Sequence, residues 1–228
     1  MIKKILLSII LIVFLFTLTG CYDANTIENS YYIVALGIDI NNDDTVNPYH
    51  ISIQIAENKA SESGSGGESA QSSAYSIYSV DAQTINNGIS ILNNYLDKKI
   101  NLSHCSAIIF SEEYARRGIS DALSALSNNH EVRPNTYVLV SSGKAYDVLE
   151  KVSNSGETFS SRFYEYIINS FDYTGYSVET TFNKLLSEIN NTLGDGIAIY
   201  TKVNKDDIQN TGLAVFKYDR MVRTYFCT

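Results

Sequence analysis

Histidine and cysteine, the residue types that most often bind transition metals, are few in this chain and widely spaced. His50, His104 and His130 fall in no HExxH pattern, and none lies beside a pair of cysteines. A zinc site needs several such ligands at short, regular spacings. We therefore predict no metal site and no cofactor, and interpret the histidines as surface or hydrogen-bonded structural residues. Cys105, within the apolar stretch HCSAIIF, is predicted to be a small buried residue of a strand.

Acidic side chains near the start of the chain copy the opening of a calcium-binding loop. Asp39, Asn41 and Asp43 have the alternate spacing of the first ligands of such a loop. Asp44 then stands where the loop requires glycine, and His50 where it requires a bidentate glutamate. The pattern therefore favours a turn in which Asn and Asp side chains bond to their own backbone. Asp39, in the otherwise apolar stretch ALGIDI, is predicted to be partly buried and hydrogen-bonded.

The remaining acidic pairs and glycine-containing segments match no catalytic motif. Glu112-Glu113 and Asp206-Asp207 are adjacent in sequence, and neighbouring side chains do not face each other on a helix. We interpret these pairs as helix caps or solvated faces. The segment SSGKAY (residues 141–146) contains Gly-Lys without the full spacing of a phosphate-binding loop, and no GxSxG nucleophile elbow is present. We therefore predict a protein that is not an enzyme.

Cys21 has a sequence context that predicts a covalent modification. Lys3 and Lys4 precede an apolar run of fourteen residues, Ile5–Leu18, which would span only about 21 Å as a helix. The hydrocarbon core of a bilayer is about 30 Å thick. A basic start, a short apolar run and small residues before a cut site are the layout of a secretory signal peptide. The sequence Leu-Thr-Gly-Cys that ends at Cys21 looks like the lipobox of bacterial lipoproteins.

The chemistry of a lipobox explains these residue types. The cysteine thiol takes a diacylglyceryl group, and the chain is then cut just before that cysteine. Small side chains fit a narrow protease site, and only a thiol can form the thioether. Two acyl chains are enough for stable anchoring in a membrane. We therefore predict a signal peptide over residues 1–20 and lipid attachment at Cys21; the alternative is an uncleaved anchor with an incidental cysteine.

Composition indicates a folded, acidic protein. The chain has 228 residues, of which 44% are hydrophobic and 18% charged, and its formal net charge is -8. Removal of residues 1–20 takes away Lys3 and Lys4 and leaves 15 basic against 25 acidic residues, a net charge of -10. Because such a surface would repel phosphate backbones, we exclude nucleic acid as a partner.

Apolar periodicity predicts strands that alternate with helices and position the residues named above. The Gly/Ser-rich stretch 58–73 cannot bury a core, so we predict a flexible loop between two strands there. The alternation favours an α+β fold, a mixed β-sheet with helices packed on it. The predicted strands cover residues 31–40, 49–57, 75–80, 105–110, 136–141, 197–203 and 211–219.

Helices are predicted where apolar residues recur at helical spacing. Asp81 is expected to open the first helix, and Lys98 and Lys99 to close it, because these charges complement the helix dipole. Gly118 is expected to stop the helical turn SEEYARR, and Gly194 to end the last helix. The faces of the other helices consist of Ile119, Leu123 and Leu126; of Ala145, Val148, Leu149 and Val152; of Phe159, Phe163, Tyr166 and Ile167; and of Phe182, Leu185, Leu186, Ile189 and Leu193.

Longer stretches of the chain carry a family resemblance. They are YYIVALGID, YHISIQIAE, GLAVFKYD and above all the block LSHCSAIIFSEEYARRGISDALSALSNNHEVRPNTYVLVSSGKAYDVLE, residues 102–150. In that block a Ser-His precedes a strand and Glu131-Val132-Arg133 leads into the next one. These features resemble the C-subunit lipoproteins of spore nutrient germinant receptors, the GerC (GerAC-like) family.

The resemblance implies a fold, a location and partners. It implies a GerAC-like N-terminal domain over residues 21–203 and the start of a truncated C-terminal domain over 204–228. It also implies a lipoprotein without a catalytic site on the extracytoplasmic face of the spore inner membrane. Its partners would be a membrane-embedded A subunit and a transporter-like B subunit, which together detect small nutrients such as amino acids or sugars and trigger germination.

Besides the expected truncation of the domain that begins after residue 203, the chain departs from the family pattern at two places. Tyr22 stands where the family usually has Trp, and Asn25 is not followed by the usual Arg-Glu pair. Asn128-Asn129 replaces the usual Arg-Asp. We therefore expect a divergent member of the family.

Two other kinds of lipoprotein would begin with the same anchor. A solute-binding lipoprotein of an uptake transporter usually has two lobes around a ligand cleft, which the 208 residues left after removal of 20 hardly provide with a single sheet. A lipid-anchored hydrolase would need a nucleophile motif. The sequence therefore favours the receptor subunit, with the solute-binding lipoprotein as the alternative.

Overall fold

The chain divides into two compact units, Met1–Ser30 and Tyr31–Thr228. A computed structural model describes residues 2–8, 29–56, 75–154, 164, 178–191, 195–205 and 207–226. In the first unit residues 2–8 are helical. No helix in the described ranges is long and apolar enough to cross a membrane. The predicted loop 58–73 lies outside the described residues, as does the predicted helix over 159–167 apart from Tyr164.

The described strands pair in one sheet, in the order β3-β2-β1-β5-β6-β7-β8-β9, with β4 paired to β1. Strands β1, β5, β6 and β7 pair in parallel, whereas the flanking pairs are antiparallel. The sheet is therefore mixed, as predicted. The strands are β1 (Ser30–Ile40), β2 (Tyr49–Ala56), β3 (Tyr75–Ala82), β4 (Lys99–Asn101), β5 (Ala107–Ser111), β6 (Tyr137–Ser141), β7 (Ile197–Val203), β8 (Ile208–Lys217) and β9 (Arg220–Phe226).

Helices cover both faces of this sheet, and each face has its own apolar core. The helices are α1 (Ile85–Tyr95), α2 (Glu112–Arg117), α3 (Ser120–Ser127), α4 (Ala145–Asn154) and α5 (Phe182–Asn190). Buried residues of α1, α2, α3 and α5 share the first core with the sheet. Those of α4 share the second core on the opposite face. The observed architecture confirms the predicted α+β fold with helices packed on a mixed sheet.

Alternation along β2 shows how the sequence supplies both faces. Ile51, Ile53 and Ile55 are buried in the first core, and each such side chain contributes about 1.5–3 kcal/mol when fully buried. Gln54 points to the opposite face, where its amide nitrogen donates to the Ser153 hydroxyl on α4 at 2.7 Å. Burial of this polar group is offset because it is hydrogen-bonded.

The prediction for the ends of α1 is wrong. Asp81 lies in β3 opposite His50, because the pairing of β3 with β2 continues to Ala82. The helix is opened instead by Thr84, whose hydroxyl accepts the Asn87 N–H at 3.1 Å. A hydroxyl at this position satisfies one of the unpaired N–H groups of the first turn. At the other end of the segment, Lys99 already belongs to β4.

Predicted glycine stops have different outcomes at two helices. Gly118 ends α2 as predicted, with φ of +129°, and a side chain there would meet Asp219 Oδ2 at 2.7 Å. In contrast, α5 ends at Asn190, before Gly194. Asn191 still bonds through its N–H to the Ser187 carbonyl at 3.1 Å, but its backbone is extended, with ψ of 123°, so the helix ends earlier than predicted.

Strand β9, like the short strand β4, is not predicted by the sequence patterns. It pairs with β8 across a turn in which Tyr218 has φ of +57°. Met221 is buried in the first core, whereas Tyr225 and Phe226 are exposed. The predicted domain boundary between residues 203 and 204 falls between β7 and β8, which pair with each other, so the division of the chain at this point stays a prediction.

Candidate functional site

The carboxyl ends of three parallel strands meet at one edge of the sheet. Strands β1, β5 and β6 lie side by side in parallel and end there at Ile40, Ser111 and Ser141. Helix α2, which follows β5, packs in the first core, whereas α4, which follows β6, packs in the second. When successive connections leave a sheet toward opposite faces, a crevice forms between them, and α/β proteins commonly bind ligands in such a crevice.

A cleft of about 1340 Å³ occupies this position. Charged and polar side chains predominate among the residues that line it, and we call it the carboxyl-end cleft. Its lining consists of residues 39–43, 111–113, 116, 142–144, 146 and 147, together with His50, Ile77, Ser79 and Asp81.

Asp39 lies in the carboxyl-end cleft and holds the start of α4. Its carboxylate accepts the backbone N–H groups of Ala145 at 2.6 Å and Tyr146 at 3.0 Å. The residue is only 3% exposed, and this burial raises the pKa of Asp39 despite the hydrogen bonds that oppose it. The predicted hydrogen bonding of Asp39 is confirmed, and its burial is more complete than the partial burial that was predicted.

The same contact explains the SSGKAY segment. An anion at a helix N-terminus would bind the free N–H groups of the first turn, but Asp39 already accepts those of Ala145 and Tyr146. Ahead of the helix, the Ser141 hydroxyl donates to the Lys144 carbonyl at 3.0 Å. The segment therefore forms a turn and a capped helix start, with the first-turn donors taken by a carboxylate of the protein itself.

The residues that copy a calcium loop form a turn between β1 and β2. The Asn41 side-chain oxygen accepts the Asp43 N–H at 3.0 Å, and the Asp44 carboxylate accepts the Val46 N–H at 2.8 Å. Hydrogen bonds from Asn47 and Val46 lower the pKa of Asp44. Asp39, the first residue of the pattern, points to α4 instead. The predicted turn chemistry is confirmed.

Helix α2 forms one wall of the carboxyl-end cleft with two ion pairs along its surface. Arg116 contacts Glu112 at 2.7 Å and Arg117 contacts Glu113 at 2.9 Å. Asn42, in the β1–β2 turn, donates to Glu113 at 2.9 Å. Both glutamates lie in the first turn of α2, where negative charge complements the helix dipole. These contacts agree with the interpretation of Glu112-Glu113 as part of a helix cap or a solvated face.

Glu112 also ties the wall to the sheet. Its carboxylate accepts the hydroxyl of Tyr200 on β7. Burial, together with this negatively charged acceptor, raises the pKa of Tyr200. The hydroxyl therefore stays protonated at neutral pH and acts as a donor that fixes α2 against β7.

The three histidines have different surroundings. His50 contacts Asp81 at 2.6 Å on the opposite strand, and these side chains are 33% and 44% exposed. The ring of His104 packs edge-on against Tyr32 with centroids 4.7 Å apart, and His130 is exposed. In the part of the chain that the structure describes, no group of three or more His, Cys, Asp or Glu side chains could hold a metal ion.

The cysteines have separate outcomes. Cys105 is free and buried, and burial raises its pKa to about 12, so it is a protonated core residue at neutral pH. It lies two residues before β5 and not within that strand. Cys21 and Cys227 lie outside the described residues, and lipid attachment at Cys21 stays a prediction.

Sequence reasoning identified Asp39 but not its partner. A single acidic residue in an apolar strand signals a buried hydrogen bond, yet Ala145 is 106 residues away. No local pattern records a contact at that separation. The carboxyl-end cleft was missed for the same reason, because its walls come from the ends of strands that are distant in sequence.

Comparison with known proteins identifies relatives of the chain. Residues 23–203 match the family model described as spore germination protein N-terminal domain. A putative spore germination protein, YfkR of Bacillus subtilis (strain 168), is 26% identical over 215 residues, which are 90% of this chain and 54% of that protein. Spore germination protein KC of the same organism is 25% identical over 154 residues, 66% of this chain and 37% of that protein.

A solved structure is also similar to this chain. The crystal structure of the GerBC protein aligns with a TM-score of 0.41 and 15% sequence identity, over 84% of this chain and 51% of that one. The chain thus spans about half the length of that structure and of YfkR, and less of protein KC.

Proposed function

The chain belongs to the family of the spore germination protein N-terminal domain, and from this premise we propose that it is a non-enzymatic lipoprotein subunit of a nutrient germinant receptor. In this role it is anchored by a lipid on Cys21 to the extracytoplasmic face of the spore inner membrane. It acts there with a membrane-embedded A subunit and a transporter-like B subunit to trigger germination in response to small nutrients.

The observation that carries this proposal is the extent of the family match. The match begins at residue 23, two residues after Cys21, and continues to residue 203. It therefore covers nearly all of the N-terminal domain predicted over residues 21–203 and leaves out the apolar run before Cys21. Both named relatives are spore germination proteins by name, which supports the process but not the individual partners.

The geometry favours a surface that contacts a partner protein over the site of a solute-binding lipoprotein or of an enzyme. The described strands join one sheet, whereas solute-binding lipoproteins usually have two lobes around their ligand. Several titratable groups of the carboxyl-end cleft pair with each other or cap a helix: Glu112 pairs with Arg116, and Asp39 holds α4. Such contacts suit a fixed surface that contacts a partner.

The anchor is tested by labelling cells of the spore-forming host with a palmitate analogue. We expect the wild-type chain to be labelled and recovered with the membranes. Cys21→Ala removes the thiol that forms the thioether, so this variant should accumulate as an unlabelled, unprocessed precursor. Cys227→Ala is the matched control and should be labelled like the wild type. Labelling that persists in Cys21→Ala would overturn the anchor.

The receptor assignment is tested by affinity purification from detergent-solubilised spore membranes. A tagged wild-type chain should recover a membrane-embedded A subunit and a transporter-like B subunit of one receptor in comparable amounts. Recovery of an ATPase and a permease instead would favour the uptake-transporter alternative and contradict the receptor assignment.

A further inference from the structure

The carboxyl-end cleft is larger and more open than a site for one small molecule. Its volume is about 1340 Å³, whereas pockets for small ligands are commonly about 300–1,000 Å³ and enclose most of the ligand. The floor is fixed, because Asp39 joins β1 to the start of α4 through two backbone hydrogen bonds. A preformed cleft of this size suits a stretch of polypeptide, because a site that is already ordered loses little entropy of its own on binding.

The charge of the lining selects the chemistry of the occupant. Six carboxylates line the cleft, against the cations Arg116 and Lys144, so its formal charge is -4 with neutral histidine. The carboxylates belong to Asp39, Asp43, Asp81, Glu112, Glu113 and Asp147. An excess of negative charge in a concave surface attracts and orients positively charged partners.

Two of these carboxylates are available for a partner. Glu112 and Glu113 are paired with arginines, Asp81 contacts His50, and Asp39 caps α4. The carboxylates of Asp43, in the β1–β2 turn, and Asp147, in the first turn of α4, have no hydrogen-bond or ion-pair partner among residues 29–56, 75–154 and the other described ranges. They are exposed, one on a loop and one on a helix that border the same cleft.

We propose that the carboxyl-end cleft binds a lysine- or arginine-rich extended segment of a partner subunit, with Asp43 and Asp147 as the anchors for its cations. The proposal rests on the proposed function in taking the occupant from a partner subunit. The cleft shape and the unpaired carboxylates do not depend on that assignment.

The test measures binding of a labelled peptide to the full chain in nonionic detergent. The probe is a twelve-residue fluorescein peptide of alternating Lys and Ser, followed by fluorescence anisotropy at low salt. The double variant Asp43→Asn/Asp147→Asn should weaken binding by about 2- to 30-fold, since two exposed ion pairs are lost. Added salt should reduce this difference.

A matched control distinguishes binding at the cleft from general attraction by the net charge of the protein. Glu150 and Glu179 are exposed and do not line the cleft. Glu150→Gln/Glu179→Gln makes the same change in net charge and should bind the peptide like the wild type. Circular dichroism and thermal unfolding verify that both double variants are folded, so that a loss of binding reports on the surface.

Three outcomes would overturn the proposal. Equal weakening in both double variants would mean that the peptide is attracted by net charge alone. Binding of the Lys/Ser peptide no tighter than that of a Glu/Ser peptide would exclude a cationic occupant. Stoichiometric spermidine binding that is tighter than peptide binding and lost in Asp43→Asn/Asp147→Asn would assign the cleft to a small polyamine. These readouts use no germination or labelling assay, so their failure is distinguishable from failure of the proposed function.

Discussion

The first apolar core and the carboxyl-end cleft are built from the same strands but are stabilised in different ways. In the core, Ile38 and Phe110 are fully buried beside other apolar side chains, and any packing partner of suitable size contributes. At the cleft, Asp39 depends on two specific N–H groups. The core is thus held by non-directional burial, and the cleft by a small number of directional bonds between distant segments.

The largest expected effect is on the core side of this comparison. Phe110→Ala should lower the free energy of unfolding by about 3–5 kcal/mol, because it removes a large side chain and leaves a cavity. Chemical denaturation followed by circular dichroism measures the loss. The control is Tyr95→Ala, a change at a side chain that is 79% exposed, which should change stability by less than about 0.5 kcal/mol. Similar losses in both variants would contradict the assigned core.

A smaller loss is expected when the directional bond is broken. Asp39→Ala leaves the N–H groups of Ala145 and Tyr146 unsatisfied and should cost about 1–3 kcal/mol. Asp39→Asn keeps one side-chain oxygen as an acceptor and should cost less, because Asn and Asp are comparable helix caps. Amide hydrogen exchange should show the loss of protection at the start of α4. If Asp39→Asn were as damaging as Asp39→Ala, the capping account would be wrong.

The pH dependence of stability should carry the signature of Asp39. Burial raises its pKa above the usual 3.8, so the folded protein binds this proton more tightly than the unfolded chain. The stabilisation from protonating Asp39 is therefore complete below the unfolded pKa and is lost as the pH rises through the raised native value. The free energy of unfolding of the wild type minus that of Asp39→Asn, measured by denaturation between pH 3 and 7, should fall in this way. A difference that rises with pH would contradict the burial of the charge.

The smallest effect is expected at the exposed wall of the cleft. Arg117→Ala removes the contacts with Glu113 and Asn42 and should cost about 0.2–1 kcal/mol, since exposed ion pairs are weak. The cost should shrink at high salt. Arg133→Ala is the control, because Arg133 is exposed and has no ion pair within the described part of the chain. An equal cost for both arginines would mean that the contacts of Arg117 with Glu113 and Asn42 do not stabilise the fold.

Sequence patterns predict the core of this protein better than they predict the cleft. The face Ala145, Val148, Leu149 and Val152 is buried as its helical spacing predicts, because burial follows a local period. The prediction that Asp81 opens α1 fails for the opposite reason, because its strand pairing with His50 is a long-range contact. Thr84, three residues further on, caps the helix instead. The strand ends that form the cleft are brought together only by the order of strands in the sheet.

Strand β9 illustrates the same limit at the edge of the sheet. Its sequence RMVRTYF has little alternation, and it is placed by pairing with β8 and by the burial of Met221. Gly212 on β8 permits this pairing, because a Cβ there would lie 1.9 Å from the Tyr225 carbonyl oxygen. Neither contact is visible in a local pattern of the sequence.

The germination response of spores that lack this chain tests the central claim most directly. The optical density of a spore suspension is followed after addition of amino acids and sugars, for the deletion strain and for the same strain complemented with the wild-type gene. A receptor subunit predicts that the deletion abolishes or strongly slows the response to at least one nutrient, and that the wild-type gene restores it. Deletion spores that respond to every nutrient at the wild-type rate would contradict the account.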